Sequence, residues 1–355
     1  MAYYPILFLL FLTLPFSSAK LSLDYYKATC PDFDKIVREN VYTKQSAVPA
    51  TAPGLLRMFF HDCITDGCDA SIFISSSAYN PHAERDADLN LSLSGDAFDI
   101  VSKIKNALEL SCPGIVSCSD IVAQATRDLV KMVGGPYYKV RLGRKDSKVS
   151  DAKRVDANLP TTKMTMNQII DKFAVKNLTI RDMVALTGAH TIGFTHCKEF
   201  IHRIYPIIDP TLHPKLALGL RQMCQNYTLD TSMAAFNDVR SPSTFDNAFF
   251  KNILKGLGLL TTDYLLSVDP RTRPIVEEYA KDQQAFFIDF AKAMEKVSVL
   301  GVKTGHKGEG VDAGRKTLVA TTILLFVLSG PVKALTYLME GGCHGLERAA
   351  VAKFP

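Results

Sequence analysis

The chain has 355 residues, 47% of them hydrophobic and 22% charged, with a formal net charge of +5. That composition is ordinary for a globular protein and ample for a large core, with a length that suggests about two domains or lobes. Nucleic-acid binding would need clustered Lys and Arg; no such cluster stands out, so the charges read as a solvated surface.

Residues 1–19 carry an apolar run from Ile6 to Phe16 followed by Ser17-Ser18-Ala19. Small residues after a short apolar run predict a secretory signal peptide, because the run is too short to span a bilayer. In an oxidising compartment the eight cysteines read as disulfides. A zinc site built from His61, Cys63, Cys68, His196 and Cys197 is correspondingly disfavoured. Asn90-Leu91-Ser92, Asn177-Leu178-Thr179 and Asn226-Tyr227-Thr228 match the N-glycosylation pattern and need exposure to count.

Helical periodicity dominates the rest of the chain. Arg57 and His61 stand at i and i+4, so on a helix they share a face. Asp96 to Leu110 reads as an amphipathic helix, with Phe98, Val101, Ile104 and Leu108 spaced by three and four. Cys118 to Val133 is a second, stopped by Gly134-Gly135-Pro136. Tyr138 to Leu142 is the best short strand. Thr165 to Phe173 and Thr179 to Leu186 are helices opened by a capping Thr. Phe245 to Gly256 and Ile275 to Val299 complete an all-α reading with minor short strands. The pattern fades after about Gly310.

The segment Arg57-Met58-Phe59-Phe60-His61-Asp62-Cys63 holds the most chemistry. A fixed cation beside an imidazole suits a small substrate that develops charge, such as peroxide. The base would take a proton and the cation would steady the departing oxygen. By itself the segment reads first as a hydrogen-bonded structural histidine. Asp62, Thr65, Gly67, Asp69 and Ser71 then supply oxygen ligands of the kind a hard cation takes. The other reading of that loop is an acidic turn pinned by Cys63 and Cys68.

RMFFHDCITDGCDASI resembles the distal motif of the secretory (class III) plant haem peroxidases, and MVALTGAHTIGFTHC resembles their proximal haem segment. CPGIVSCSDI, GGP, LGRKDS, NLP, FDN and GLLTTD stand in the family's order, so the resemblance runs from about Leu21 to Gly310. It implies a two-lobed fold with haem b between distal and proximal lobes. His61 becomes the distal acid–base catalyst, Arg57 its cationic partner, Asn90 the acceptor that orients His61, and Phe60 the ring over the haem edge. An orienting Asn90 is buried, which sets its sequon aside. His190 becomes the axial ligand and Asp263 the carboxylate behind it. One calcium falls to Asp62, Thr65, Gly67, Asp69 and Ser71, with Glu84 reached through water. A second falls to Thr191, Asp238, Ser241, Thr244 and Asp246. Pro160 lines the donor site. The chain has no Trp, so no Trp radical is available.

The same resemblance pairs Cys30 with Cys112, Cys63 with Cys68 and Cys197 with Cys224. Cys118 lacks its expected partner, because GVDAGRKTLVATTILLFVLSGP replaces the usual Cys-containing ending. Three readings of residues 311–355 stand together. They are a mis-joined or frame-shifted coding sequence, a tail whose Cys343 loops back to Cys118, or a membrane-associating segment at Leu318 to Leu328 that is too short to span.

The expectation is a signal peptide over 1–19, a peroxidase domain over 20–310 and an atypical tail. The protein would be a secreted monomer, in the cell wall or vacuole, that reduces hydrogen peroxide with small phenolic donors and binds neither nucleic acid nor a membrane. The rival is an inactive, calcium-binding scaffold of the same fold.

Overall fold

The computed structural model describes residues 20–78, 80–305, 308 and 343. The signal-peptide and tail readings lie outside these residues, except for Cys343. Helix dominates, as the periodicity predicted. The first group is α1 (Phe33–Ala47), α2 (Thr51–Thr65), α3 (Gly95–Ser111), α4 (Cys118–Met132) and α5 (Ala152–Asn158). The second is α6 (Met166–Val175), α7 (Ile180–Thr187), α8 (Cys197–Phe200), α9 (Pro214–Met223), α10 (Ala248–Ile253), α11 (Thr261–Val268), α12 (Arg273–Lys281) and α13 (Gln283–Val297).

Local chemistry explains the boundaries. Thr165 and Thr179 each accept from the third backbone N–H of their helix, while Gln168 and Asp182 reach back, two complete capping boxes. The predicted helix from Ile275 to Val299 is two helices. Asp282 stops α12 and caps α13, accepting from Gln284 N at 2.8 Å and Ala285 N at 3.1 Å. The predicted start at Phe245 moves to Ala248, because Asp246 Oδ1 takes Ala248 N at 2.7 Å. Helices α1, α5, α8, α9 and α11 carry no expectation from the sequence.

Tyr138 to Leu142 is extended but forms no sheet; only Leu142 pairs, with Ser22. A strand needs a neighbour along its length, and the segment has one at a single residue. The two-stranded antiparallel sheet of the described residues joins β1 (Phe194–His196) to β2 (Ala234–Phe236).

Helix α2 packs on α3 and α4, and α13 packs on α7 and α12 and also touches α2. One continuous core runs through both groups, with Phe245, Phe250, Phe286 and Phe290 clustered in the second. A separate small core gathers around Cys197, Phe200 and Cys224. The buried ion pair Arg144–Asp120, at 2.8 Å, lies in the first group, and Arg144 also donates to Ser298 O beyond α13. No helix of the described residues is long and apolar enough to cross a membrane.

Candidate active site

Helix α2 is buried except along one stripe. Pro53, Gly54, Arg57, Phe60 and His61 keep accessible surface, while Leu55, Leu56, Met58, Phe59, Asp62, Cys63 and Ile64 are buried. Spacings of three and four put that stripe on one face, so a core helix presents a cation, an aromatic ring and an imidazole along one accessible stripe.

His61 is oriented from behind. Asn90 is buried, and its amide nitrogen donates to Glu84 O at 2.7 Å, which turns its oxygen toward the ring. That Oδ1 lies 2.6 Å from His61 Nδ1. An amide oxygen only accepts, so the proton sits on Nδ1 and the Nε2 lone pair is free. Burial, with the Arg57 charge adding, pushes the imidazole down to about 3. His61 is therefore a neutral base at physiological pH. Arg57 donates to Leu89 O and Ser92 O, both at 3.0 Å, and to Ser92 Oγ at 3.1 Å. All three acceptors are neutral, so its charge is not cancelled locally. Burial lowers its pKa and Glu199 acts in the opposite direction; a guanidinium stays charged regardless. Phe60 packs on Phe173 of α6 with centroids 6.0 Å apart.

The second imidazole stands on a 3-10 turn after α7. His190 Nδ1 donates to Asp263 Oδ1 at 3.0 Å, and Asp263 is buried on α11. The His190 side chain keeps 37% of its surface accessible. Burial works against a charged ring there, but the Asp263 carboxylate outweighs it and the pKa rises. Arg57 also acts on His190, so charge from α2 reaches the second histidine. At Gly193, with φ +87°, an added Cβ would come within 2.8 Å of the Pro53 ring, so this turn packs directly on α2.

Behind His61 the chain turns into a buried acidic loop. Asp62, Asp69, Ser71 and Glu84 are each under 5% exposed. Ser71 Oγ donates to Glu84 at 2.7 Å and Ala70 N to Asp62 Oδ2 at 3.0 Å. Asp62 Oδ1 and Glu84 Oε1 are buried with no hydrogen-bond partner among the described residues. Burial, then the charges of Asp69 and Glu84, raise Asp62 well above the usual carboxylate range; burial pushes Glu84 up to about 7. Gly67, at φ +138°, faces Gly301, whose carbonyl would be 2.5 Å from an added Cβ. Thr65 Oγ1 donates to His61 O at 2.6 Å, which leaves its own carbonyl as the group to offer a cation.

A profile of the peroxidase family matches residues 37–282. The chain belongs to the peroxidase family. It is 56% identical over 289 residues to Peroxidase 41 of Arabidopsis thaliana, covering 81% of this chain and 88% of that one. Against Peroxidase 65 of the same plant it is 54% identical over 310 residues, with 86% and 92% covered. Peroxidase 6 is 55% identical over 295 residues, with 82% and 90% covered. The chain is thus an oxidoreductase of haem-peroxidase function.

The peroxidase's residues fit the groups its family uses. An imidazole with Nδ1 committed to a carboxylate and a side chain 37% accessible suits an axial ligand. Two orphaned carboxylate oxygens in a buried loop of hydroxyls and carbonyls suit a hard divalent cation. Around the second calcium set, Thr191 Oγ1 lies 3.2 Å from Asp246 Oδ1 and Ser241 Oγ 3.1 Å from Asp238 Oδ2. Thr191 and Asp238 are buried and Thr244 is exposed. Among the described residues no three His, Cys, Asp or Glu side chains converge as a metal cluster.

All four disulfides of the described residues close: Cys30–Cys112, Cys63–Cys68, Cys197–Cys224 and Cys118–Cys343. Cys343 is the looped-back partner that the sequence left open. Asn90 is buried against its sequon, whereas Asn177 and Asn226 are exposed. Pro160 is half-buried in the loop after α5; two residues on, Thr162 donates to Glu199 at 3.2 Å. Three participants escaped sequence reading: Ser92 and Leu89, which hold Arg57, and Lys303, which donates to Asp69 and Ser147. Only their distance in sequence from the motifs hid them.

Proposed function

We propose that this protein reduces hydrogen peroxide to water at a haem b carried on His190 between its two groups of helices, and takes electrons singly from small phenolic donors. One contrast supports this most. Both imidazoles have Nδ1 held by a side-chain oxygen, but His61 faces a neutral amide and His190 a carboxylate. An amide leaves an imidazole neutral and basic at Nε2; a carboxylate makes it a stronger electron donor.

The roles follow from that difference. His61 Nε2 takes a proton from peroxide and returns it to the departing oxygen, which leaves as water. The Arg57 guanidinium steadies the negative charge that grows while the O–O bond breaks. Bound haem would supply a redox centre able to hold the two oxidising equivalents released when the O–O bond breaks. Phe60 would border its edge, and Pro160 the donor's approach. Asp263 holds the His190 ring and enriches it. Asp62, Asp69, Ser71 and the carbonyls of Thr65 and Gly67 would hold one calcium, with Glu84 acting through water. Thr191, Asp238, Ser241, Asp246 and the Thr244 carbonyl would hold the other. Four disulfides and two exposed sequons support secretion, to cell wall or vacuole, after removal of residues 1–19 from the 20–310 domain and its tail.

The test is expression of the secreted chain with haem and calcium. A Soret band together with peroxide-dependent phenol oxidation is expected. No Soret band would remove the haem reading. A Soret band without turnover would leave a calcium-binding scaffold.

A further inference from the structure

We propose that Lys303 is a built-in counter-ion of the acidic loop beside His61, and that its charge sets how weakly that loop holds calcium. The inference rests on the calcium reading of Asp62, Asp69 and Ser71 and deepens it.

The ammonium is placed by backbone. Lys145 N donates to Lys303 O at 2.8 Å, and Cys68 N donates to Leu300 O at 3.0 Å. Gly301 packs against Gly67 so closely that neither position has room for a Cβ. The segment after α13 is therefore laid across the loop, and Ser119 Oγ ties Cys68 O from the other side at 2.7 Å. From this segment Lys303 Nζ reaches Asp69 Oδ2 and, at 2.6 Å, Ser147 Oγ. Asp69 is buried, and the Lys303 side chain is 28% accessible.

Charge decides what the contact does. Asp62, Asp69 and Glu84 are three buried carboxylates within reach of one another's fields. Lys303 is the cation bonded to this trio; Arg154 acts on Glu84 only at longer range and pairs with the exposed Asp66 at 3.3 Å. Without calcium, the ammonium offsets part of the repulsion that a closed acidic loop otherwise suffers. With calcium, the same ammonium is a like charge that shares Asp69 with the ion. Both effects are strengthened by burial. Lys303 thus trades calcium affinity for a loop that persists without calcium, and with it the Glu84–Asn90–His61 string.

The experiment uses the haem-loaded protein as wild type, K303Q and K303R, each prepared in saturating calcium and then stripped with a chelator. Preparation in calcium keeps K303Q folded when its counter-charge is missing. Calcium is titrated back by calorimetry, and D69N identifies which of the two binding events belongs to this loop. In K303Q that event should tighten by about tenfold or more, as expected when a like charge is removed from a poorly solvated site. K303R should stay near wild type, and calcium-free K303Q should melt below calcium-free wild type. An unchanged affinity in K303Q, or equal tightening in K303R, would overturn the proposal. A wild type that binds no calcium overturns the calcium reading itself and the proposal with it.

Discussion

Asn90 joins the distal imidazole to the acidic loop: its Oδ1 lies 2.6 Å from His61 Nδ1, and its amide nitrogen donates to Glu84 O at 2.7 Å. The base and the acidic loop are one hydrogen-bonded string.

His61→Leu should slow the reaction with peroxide by about 10²–10⁴-fold, the usual worth of a positioned base, while the Soret band persists. Asn90→Val should give a smaller loss, since the base remains but its tautomer is no longer held. Stopped-flow mixing with peroxide checks both. Equal rates for wild type and His61→Leu would remove His61 from the mechanism.

The pH profile follows from the imidazole held down to about 3. The active form is neutral, so the peroxide rate should stay flat from pH 7 to about pH 4 and fall near 3. Stability has the same sign. The unfolded state, with an ordinary histidine near 6.5, binds more protons between those values. His61 therefore costs nothing above pH 6.5 and destabilises progressively as pH falls toward 3. Melting temperatures of wild type and His61→Leu should diverge in that window.

Asp263→Asn keeps a hydrogen-bond acceptor behind His190 but removes the charge. Haem should still bind, and the iron's reduction potential should rise because its ligand donates less. Spectroelectrochemistry reads the shift; an unchanged potential would mean Asp263 serves only to position the ring.

Chelating calcium should lower the melting temperature and slow peroxide reduction only in part, because Lys303 still holds Asp69 and with it the loop behind Glu84 and Asn90. At a hundredfold excess over its dissociation constant, one calcium stabilises the fold by about 2.7 kcal/mol. Scanning calorimetry across a calcium series tests this, and a calcium-independent melting temperature counts against both sites.

The Cys118–Cys343 bridge closes 225 residues of chain. Cys343→Ser, or truncation after Gly310, should destabilise by about 2–5 kcal/mol, as for loss of a native disulfide. Denaturant titration reads the loss, and no change would mean the bridge is idle.

Much of the site was legible in advance for a local reason. Helix spacing alone puts Arg57, Phe60 and His61 on one face, and a capping Thr marks where α6 and α7 begin. Breaks made by one side chain were harder: Asp282 splits a periodic run that reads as a single helix, because a cap competes with the backbone only once the chain bends around it. Tyr138 to Leu142 failed as a strand because strand pairing depends on what lies alongside, and a sequence does not display its neighbours.

Sequence by itself determined the ingredients: a base and a cation one turn apart, a second histidine far downstream, an acidic loop and eight cysteines. Tertiary structure decided what stands behind each. It put an amide behind His61 and a carboxylate behind His190, gave Cys118 its partner, and laid Lys303 on Asp69. The physical reason is range. A helix's periodicity is set by residues three and four apart, whereas acceptors and counter-ions come from elements tens to hundreds of residues away, which packing alone brings together.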